Sequence, residues 1–204
     1  MAPSSTLGFF WEHMYAQLFI KPPEPNYDFS DQTIIVTGSN GGIGLETARW
    51  FVRLGAAKVI LAVRSIAKGE HAAEDIRAST KCEAAALEVW QLDLASSESV
   101  EDFAARARQL ERLDVLVANA GVYLYDFEMA DGNEMTITVN VINTFMLAFL
   151  LLPILRETSV RLGKEAVITF TGSFVLWLTK FPERKSEHIF QDLADEKTAR
   201  MMDR

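Results

Sequence analysis

The stretch TGSNGGIG, residues 37–44, stands between the β-branched run TIIV and a segment with helical periodicity. That placement, with a strand before and a helix after, separates a phosphate cradle from a chance cluster of glycines. Gly38 permits the tight turn, Gly42 lets the backbone approach a pyrophosphate, and Gly44 allows the helix to pack closely on the strand. The amino terminus of the helix adds unpaired N–H groups and a partial positive charge. Ser39, Asn40 and Ile43 complete the loop and are counted with it as candidate cofactor contacts. Dinucleotide binding is the reading this context supports, with a merely structural turn as its alternative.

Outward from the loop, short β-branched runs alternate with longer helical patterns, the signature of right-handed βαβ units on a parallel sheet. TIIVTG is the first strand, a helix follows from about residue 43 to 54 and is stopped by Gly55, and KVILAVR is the second strand. Another helix runs through Arg77, and EVWQLDL is the third strand. Ser96 and Ser97 cap a helix reaching about residue 110, DVLVANAG is the fourth strand, and an apolar helix covers roughly residues 135–157. AVITFTGS is the fifth strand. The predicted fold class is α/β, a doubly wound parallel sheet whose ligands bind outside the carboxyl ends of its strands.

With 204 residues, nearly half of them apolar, the chain can bury one sizeable core. A formal net charge of -8 argues against a nucleic-acid partner, because phosphate binding needs clustered Lys and Arg. Cys82 is the only cysteine, which excludes an intramolecular disulfide and a cysteine zinc site and points to a reducing, cytoplasmic compartment. Near the amino terminus, Phe10, Met14 and Leu18 recur at helical spacing, with Trp11 and Tyr15 beside them. Glu12, His13 and Gln17 interrupt this apolar stretch, which falls short of the ~20 residues a membrane span needs. Residues 1–25 are therefore expected to form an amphipathic helix and a Pro-rich linker. Packing on the chain's own domain is favoured over peripheral membrane contact, and residues 26–204 form the dinucleotide-binding domain. The run TFMLAFLLLPIL, residues 144–155, is likewise too short to span and reads as a buried helix.

Two residues at strand ends address the cofactor's identity. Arg64 ends the second strand, where an NAD site usually carries an acidic side chain for the ribose 2′-hydroxyl, so NADP(H) is expected over NAD(H). Asp93, at the end of the third strand with Leu94 beside it, could accept from an adenine amino group or simply satisfy nearby backbone N–H groups.

TGSNGGIG, LDL (residues 92–94) and NAG (Asn119, Ala120, Gly121), in that order, resemble the short-chain dehydrogenase/reductase family over roughly residues 31–204. KFPERKSEHIFQDL further resembles its retinol-dehydrogenase-like branch, common in fungal secondary metabolism. The resemblance implies a Rossmann fold of seven parallel strands, a nicotinamide cofactor, and hydride transfer between a carbonyl and an alcohol. It implies that Asn119, Ala120 and Gly121 support the sheet and the cofactor ribose. It matches Asn140 to the Asn that holds a water relay, since NVINTF is similar to the family's NxxGxF with Asn143 in place of the usual glycine. It matches Ser173 to the serine that orients the substrate oxygen, with Thr171 as the competing hydroxyl. A small-molecule substrate and a homodimer are also implied.

The remaining pair in such enzymes is the Tyr and Lys of YxxxK. A carbonyl oxygen that receives hydride must take a proton, and a phenol serves near neutral pH only when a neighbouring ammonium lowers its pKa. The tyrosines at 15, 27, 123 and 125 all precede Ser173, and none begins that motif. In the resembled branch an Asp-Arg pair like Asp203 and Arg204 stands directly before the Tyr, so the chain is expected to be truncated there, with the fifth strand left as a sheet edge. Two main readings follow: an NADP(H)-dependent oxidoreductase, or a catalytically inert nucleotide-binding protein that lacks the Tyr and Lys. A nonredox catalyst on the same fold is the third.

Overall fold

Three runs that are hydrophobic on both faces form the middle of a parallel sheet: β1 (Thr33–Thr37), β2 (Lys58–Val63) and β4 (Val115–Ala118). Near-continuous burial of this kind is expected when helices cover both sides of a parallel sheet. With β3 (Leu87–Gln91) and β7 (Val167–Phe170) the order is β3-β2-β1-β4-β7, every neighbour parallel. This is the predicted doubly wound sheet. The computed structural model describes residues 6–21, 23–83, 86–173, 180–199 and 201, and within the first helix the side chains of residues 8, 11, 12 and 14–19. Asp203 and Arg204 lie outside the described residues.

Alternation along the strands sorts the core into two layers. Ile34, Val36, Val59, Leu61 and Val63 pack with α2 (Gly42–Arg53) and α3 (Ile66–Thr80) on one face. Ile35, Ile60, Ala62 and Leu116 pack with α4 (Ser97–Ala107) and α6 (Asn143–Leu162) on the other. Buried Arg49 joins α2 to α3 through the Asp75 carboxylate at 2.6 Å and the Ser79 hydroxyl, and this pairing holds its guanidinium above its ordinary value.

Three features depart from expectation. The third strand ends at Gln91, so Leu92, Asp93 and Leu94 form a loop beyond the sheet. An antiparallel hairpin, β5 (Met129–Ala130) and β6 (Asn133–Glu134), precedes the apolar helix. That helix opens as one turn, α5 (Met135–Ile137), passes through a π-helical segment at Thr138–Ile142, and continues as α6 to the left-handed Gly163. Its whole length, Met135–Leu162, is apolar and long enough to cross a membrane by composition alone. Leu147, Leu151, Ile154 and Leu155 are nevertheless buried against the sheet and α4, which is the behaviour of a core helix.

The amino-terminal segment is helical, α1 (Thr6–Phe19), and where packing on the domain was expected its described large apolar side chains are exposed. Trp11, Met14, Tyr15, Leu18 and Phe19 are all exposed, Phe19 at 71%. Tyr15 and Phe19 pack on each other, with ring centroids 5.1 Å apart. A short 3-10 turn (Pro182–Lys185) and α7 (Ile189–Leu193) close the described chain.

Candidate active site

Strand order reverses between β1 and β4, which opens a crevice at their carboxyl ends. The glycine loop lies there, and its geometry shows why glycine is needed. Gly38 has φ +66°, and a Cβ on it would meet the Ala120 Cα at 2.9 Å. A Cβ on Gly44 would meet the Asn119 amide nitrogen at 2.5 Å and the Gly38 carbonyl oxygen at 2.6 Å. Gly42, at φ +56°, faces open space, leaving room for a ligand to approach the backbone. Ser39 is fully buried and donates its hydroxyl to the Val36 carbonyl at 2.9 Å, so it shapes the turn from beneath and can offer a ligand only its backbone. Ile43 is 71% exposed at the start of α2.

Thr37 fastens the loop to β4. Its buried hydroxyl oxygen accepts the N–H groups of Asn119 at 3.0 Å and Ala120 at 2.9 Å, and its carbonyl accepts the Asn119 side-chain amide at 3.0 Å. A threonine at a strand end looks like any β-former in sequence, so this clamp was not predicted. Its one signal is the hydroxyl directly before the first glycine.

A cleft of about 190 Å³ runs across this edge, lined by Gly38, Asn40, Arg64, Asp93, Leu94, Ala120 and Gly121 among others. Predicted residues from four separate loops thus come together. Lys68, in the first turn of α3, shares a neighbouring groove with Asn40, which puts a second cation beside the Arg64 end of the cleft. Arg64 and Lys68 are separated by the capping residue Ser65 and by Ile66 and Ala67, across the start of α3, which is why the pair was not singled out in sequence. A larger groove of about 760 Å³ on the outer side of α2, among Phe29, Leu45, Trp50 and Leu54, is almost wholly apolar and suits a charged dinucleotide less well.

Asn140 sits in the π segment and clasps the loop after β4 with both ends of its amide: Oδ1 accepts the Val122 N–H and Nδ2 donates to the Val122 carbonyl, each at 2.8 Å. Its Oδ1 would also lie 3.2 Å from a Cβ on Gly121. Thr171 follows β7; its N–H donates to the Ala118 carbonyl at 3.0 Å and its hydroxyl donates to Asn119 Oδ1 at 3.5 Å. Ser173 lies two residues further on, exposed. The residues expected at the cofactor site therefore converge on the cleft, Asn140 stands directly behind Gly121 and Val122, and the Thr171 hydroxyl reaches Asn119.

Residues 32–175 match the family described as short chain dehydrogenase. The chain belongs to this family. It is 45% identical to the short-chain dehydrogenase anuD of Penicillium roqueforti over all of its own length and 52% of the relative's. It is 46% identical to the short chain dehydrogenase/reductase dmxR8 of Cryptosporiopsis over 85% of this chain and 54% of that one. The chain spans about half the length of these curated relatives. Among solved structures, one described as a short chain dehydrogenase from Escherichia coli CFT073 complexed with NADPH shares 30% identity, with a TM-score of 0.60, 86% of this chain and 70% of that one being covered. The Rossmann-type sheet described above is thus that of a member of the short chain dehydrogenase family.

Proposed function

We propose that the chain provides the cofactor-binding and part of the catalytic machinery of an NADP(H)-dependent oxidoreductase acting on the carbonyl/alcohol pair of a small secondary metabolite. The observation that carries this reading is the convergence of the glycine cradle, Arg64 and Asp93 on one cleft at the switch point of the sheet. The residues fit such a group: the close contacts at Gly38 and Gly44 fix the loop, and the open space at Gly42 leaves its backbone bare for a pyrophosphate, with the α2 amino terminus behind it. Arg64 and Lys68 would hold the 2′-phosphate, Asp93 and the Leu94 N–H the adenine, and Asn119, Ala120 and Gly121 the ribose on the nicotinamide side. When bound, the cofactor supplies or accepts the hydride. Asn140 would anchor a water relay, and Ser173, with Thr171 as its rival, would orient the substrate oxygen. The structural neighbour complexed with NADPH supports the phosphate-bearing cofactor. The relatives named above are described as dehydrogenases, which favours the oxidoreductase over the inert binder. The single cysteine and the core character of α6 support a cytoplasmic location.

The decisive experiment is titration of the 204-residue chain with NADPH and with NADH, followed by tryptophan fluorescence. NADPH should bind more tightly, and Arg64→Leu should erase that preference, a loss of about tenfold to a hundredfold for a charge-assisted phosphate contact. Equal affinity for the two dinucleotides in the unaltered chain would overturn the assignment of Arg64.

A further inference from the structure

Asn143 occupies the position where the family usually has glycine, and it is fully buried at the point where the π segment passes into α6. Its Nδ2 donates to the Leu94 carbonyl at 2.9 Å, across 49 residues of sequence. Its Oδ1 is buried with no hydrogen-bond partner among the described residues. A buried acceptor left unmatched is unfavourable, so the side chain brings a penalty that the glycine usual at this position would avoid. What offsets it must come from the other end of the amide, where the bond to Leu94 is made.

Leu94 belongs to the loop that reads the base in the proposed function, on which this inference rests. On its other side, the Asp93 N–H donates to the Ser99 hydroxyl at 2.9 Å. The Asp93–Leu94 peptide unit is therefore held at both flanks, by Ser99 before it and Asn143 after it. Asp93 Oδ1 accepts the Ala95 N–H at 2.9 Å, which leaves Oδ2 available, and no bond among the described residues uses the Leu94 N–H. Both residues line the cleft. An N–H donor next to a carboxylate acceptor complements the N1 acceptor and amino donor of adenine. Hypoxanthine presents the reverse pattern, a donor at N1 and an acceptor at its exocyclic oxygen, so the same edge repels it.

We infer that Asn143 is a positioning residue for base recognition: by holding the Leu94 carbonyl it aims the Leu94 N–H and the Asp93 carboxylate at the adenine edge. Asn143 is not among the residues that line the cleft, so it would act through Leu94. The Asp131 carboxylate steadies the arrangement from outside, accepting the Ser97 N–H at 2.9 Å at the head of α4, with the Asn143 amide close to it.

The test compares the affinities of the full chain for NADPH and for its reduced hypoxanthine analogue, in the unaltered chain and in Asn143→Gly and Asn143→Ala. Asn143→Gly restores the residue usual in the family and is compatible with the fold, so one variant remains informative if the other does not fold. The unaltered chain should prefer NADPH by about tenfold, the value of one well-placed hydrogen bond and the relief of one mismatch. In both variants the ratio should fall to within about twofold. A general loosening of the fold would weaken both ligands together and leave the ratio alone. An unchanged ratio in the variants overturns the inference while the cofactor assignment stands. Equal binding of both ligands by the unaltered chain overturns the inference and the role of Asp93, but not dinucleotide binding. Binding of neither removes the cofactor assignment and this inference with it.

Discussion

At the scale of single residues, the glycine loop carries the sharpest expectation. A methyl group on Gly44 would press on the Asn119 amide and the Gly38 carbonyl at distances real Cβ atoms do not reach; the first is held by the Thr37 carbonyl and the second is backbone. Because backbone would have to move, Gly44→Ala should destabilise the fold by about 1–3 kcal/mol and abolish NADPH binding, read by urea unfolding and by fluorescence titration. Retained NADPH affinity would show that the cradle tolerates a wider separation. A second residue-scale expectation concerns pH. Burial pushes the Glu88 carboxyl up, but the bonds from Lys58, at 2.5 Å, and from the Trp90 indole N–H together hold it below its ordinary value of 4.5. The folded state therefore resists protonation longer than the unfolded chain. The stabilisation from this carboxylate is complete above pH 4.5 and is lost as pH falls through the depressed value. In thermal melts, the unaltered chain should exceed Glu88→Gln at neutral pH and converge with it on acidification; parallel curves would place the pair's contribution elsewhere.

At the scale of elements, the helix bearing Asn140 is started by a buried acid. Glu134 accepts the Thr136 N–H at 2.9 Å and the Ile137 N–H at 3.1 Å, satisfying donors that a helix amino terminus otherwise leaves open. Glu134→Ala should lower stability by about 1–2 kcal/mol and loosen the π segment, seen as faster amide exchange at Val122, whose N–H Asn140 holds. Unaltered exchange at Val122 would show that the segment needs no cap. The elements also show what could be read in advance. β1, β2, β4 and their helices were legible because long apolar runs and glycine stops state their periodicity locally, and the residues that line the cleft could be picked out because they sit at or just beyond strand ends. The hairpin was not, since strands of two residues carry no period. Nor was the π segment, which depends on bonds such as that from the Thr144 hydroxyl to the Val139 carbonyl rather than on composition. Ser39 shows a related limit: its place in the loop was evident, but the direction of its hydroxyl was set by the turn. The fate of α1 was equally hidden, because whether an apolar stripe is covered is decided by a neighbour far away in sequence.

At the scale of the molecule, the described sheet ends at β7, and the described residues beside it expose an apolar patch. Phe145 stacks on Phe170 with ring centroids 4.8 Å apart, and Phe149 lies next to them on α6 at 68% exposure. An exposed aromatic patch against a strand edge offers both apolar area and unpaired ladder groups to another chain. The net charge of -8 opposes such contact through mutual repulsion between copies. Of these two influences only the repulsion depends strongly on salt. At low ionic strength repulsion acts over a longer range and keeps copies of the 204-residue chain apart; added salt screens it while leaving the apolar attraction intact. Light scattering should therefore show the apparent mass rising with salt as well as with protein concentration. Phe149→Lys places a charge in the middle of the patch and should hold the chain monomeric across the same salt range without lowering NADPH affinity, since α6 faces away from the glycine loop at that position. Association that persists undiminished in Phe149→Lys would move the contact to another surface, of which the uncovered side chains of α1 are the next to alter.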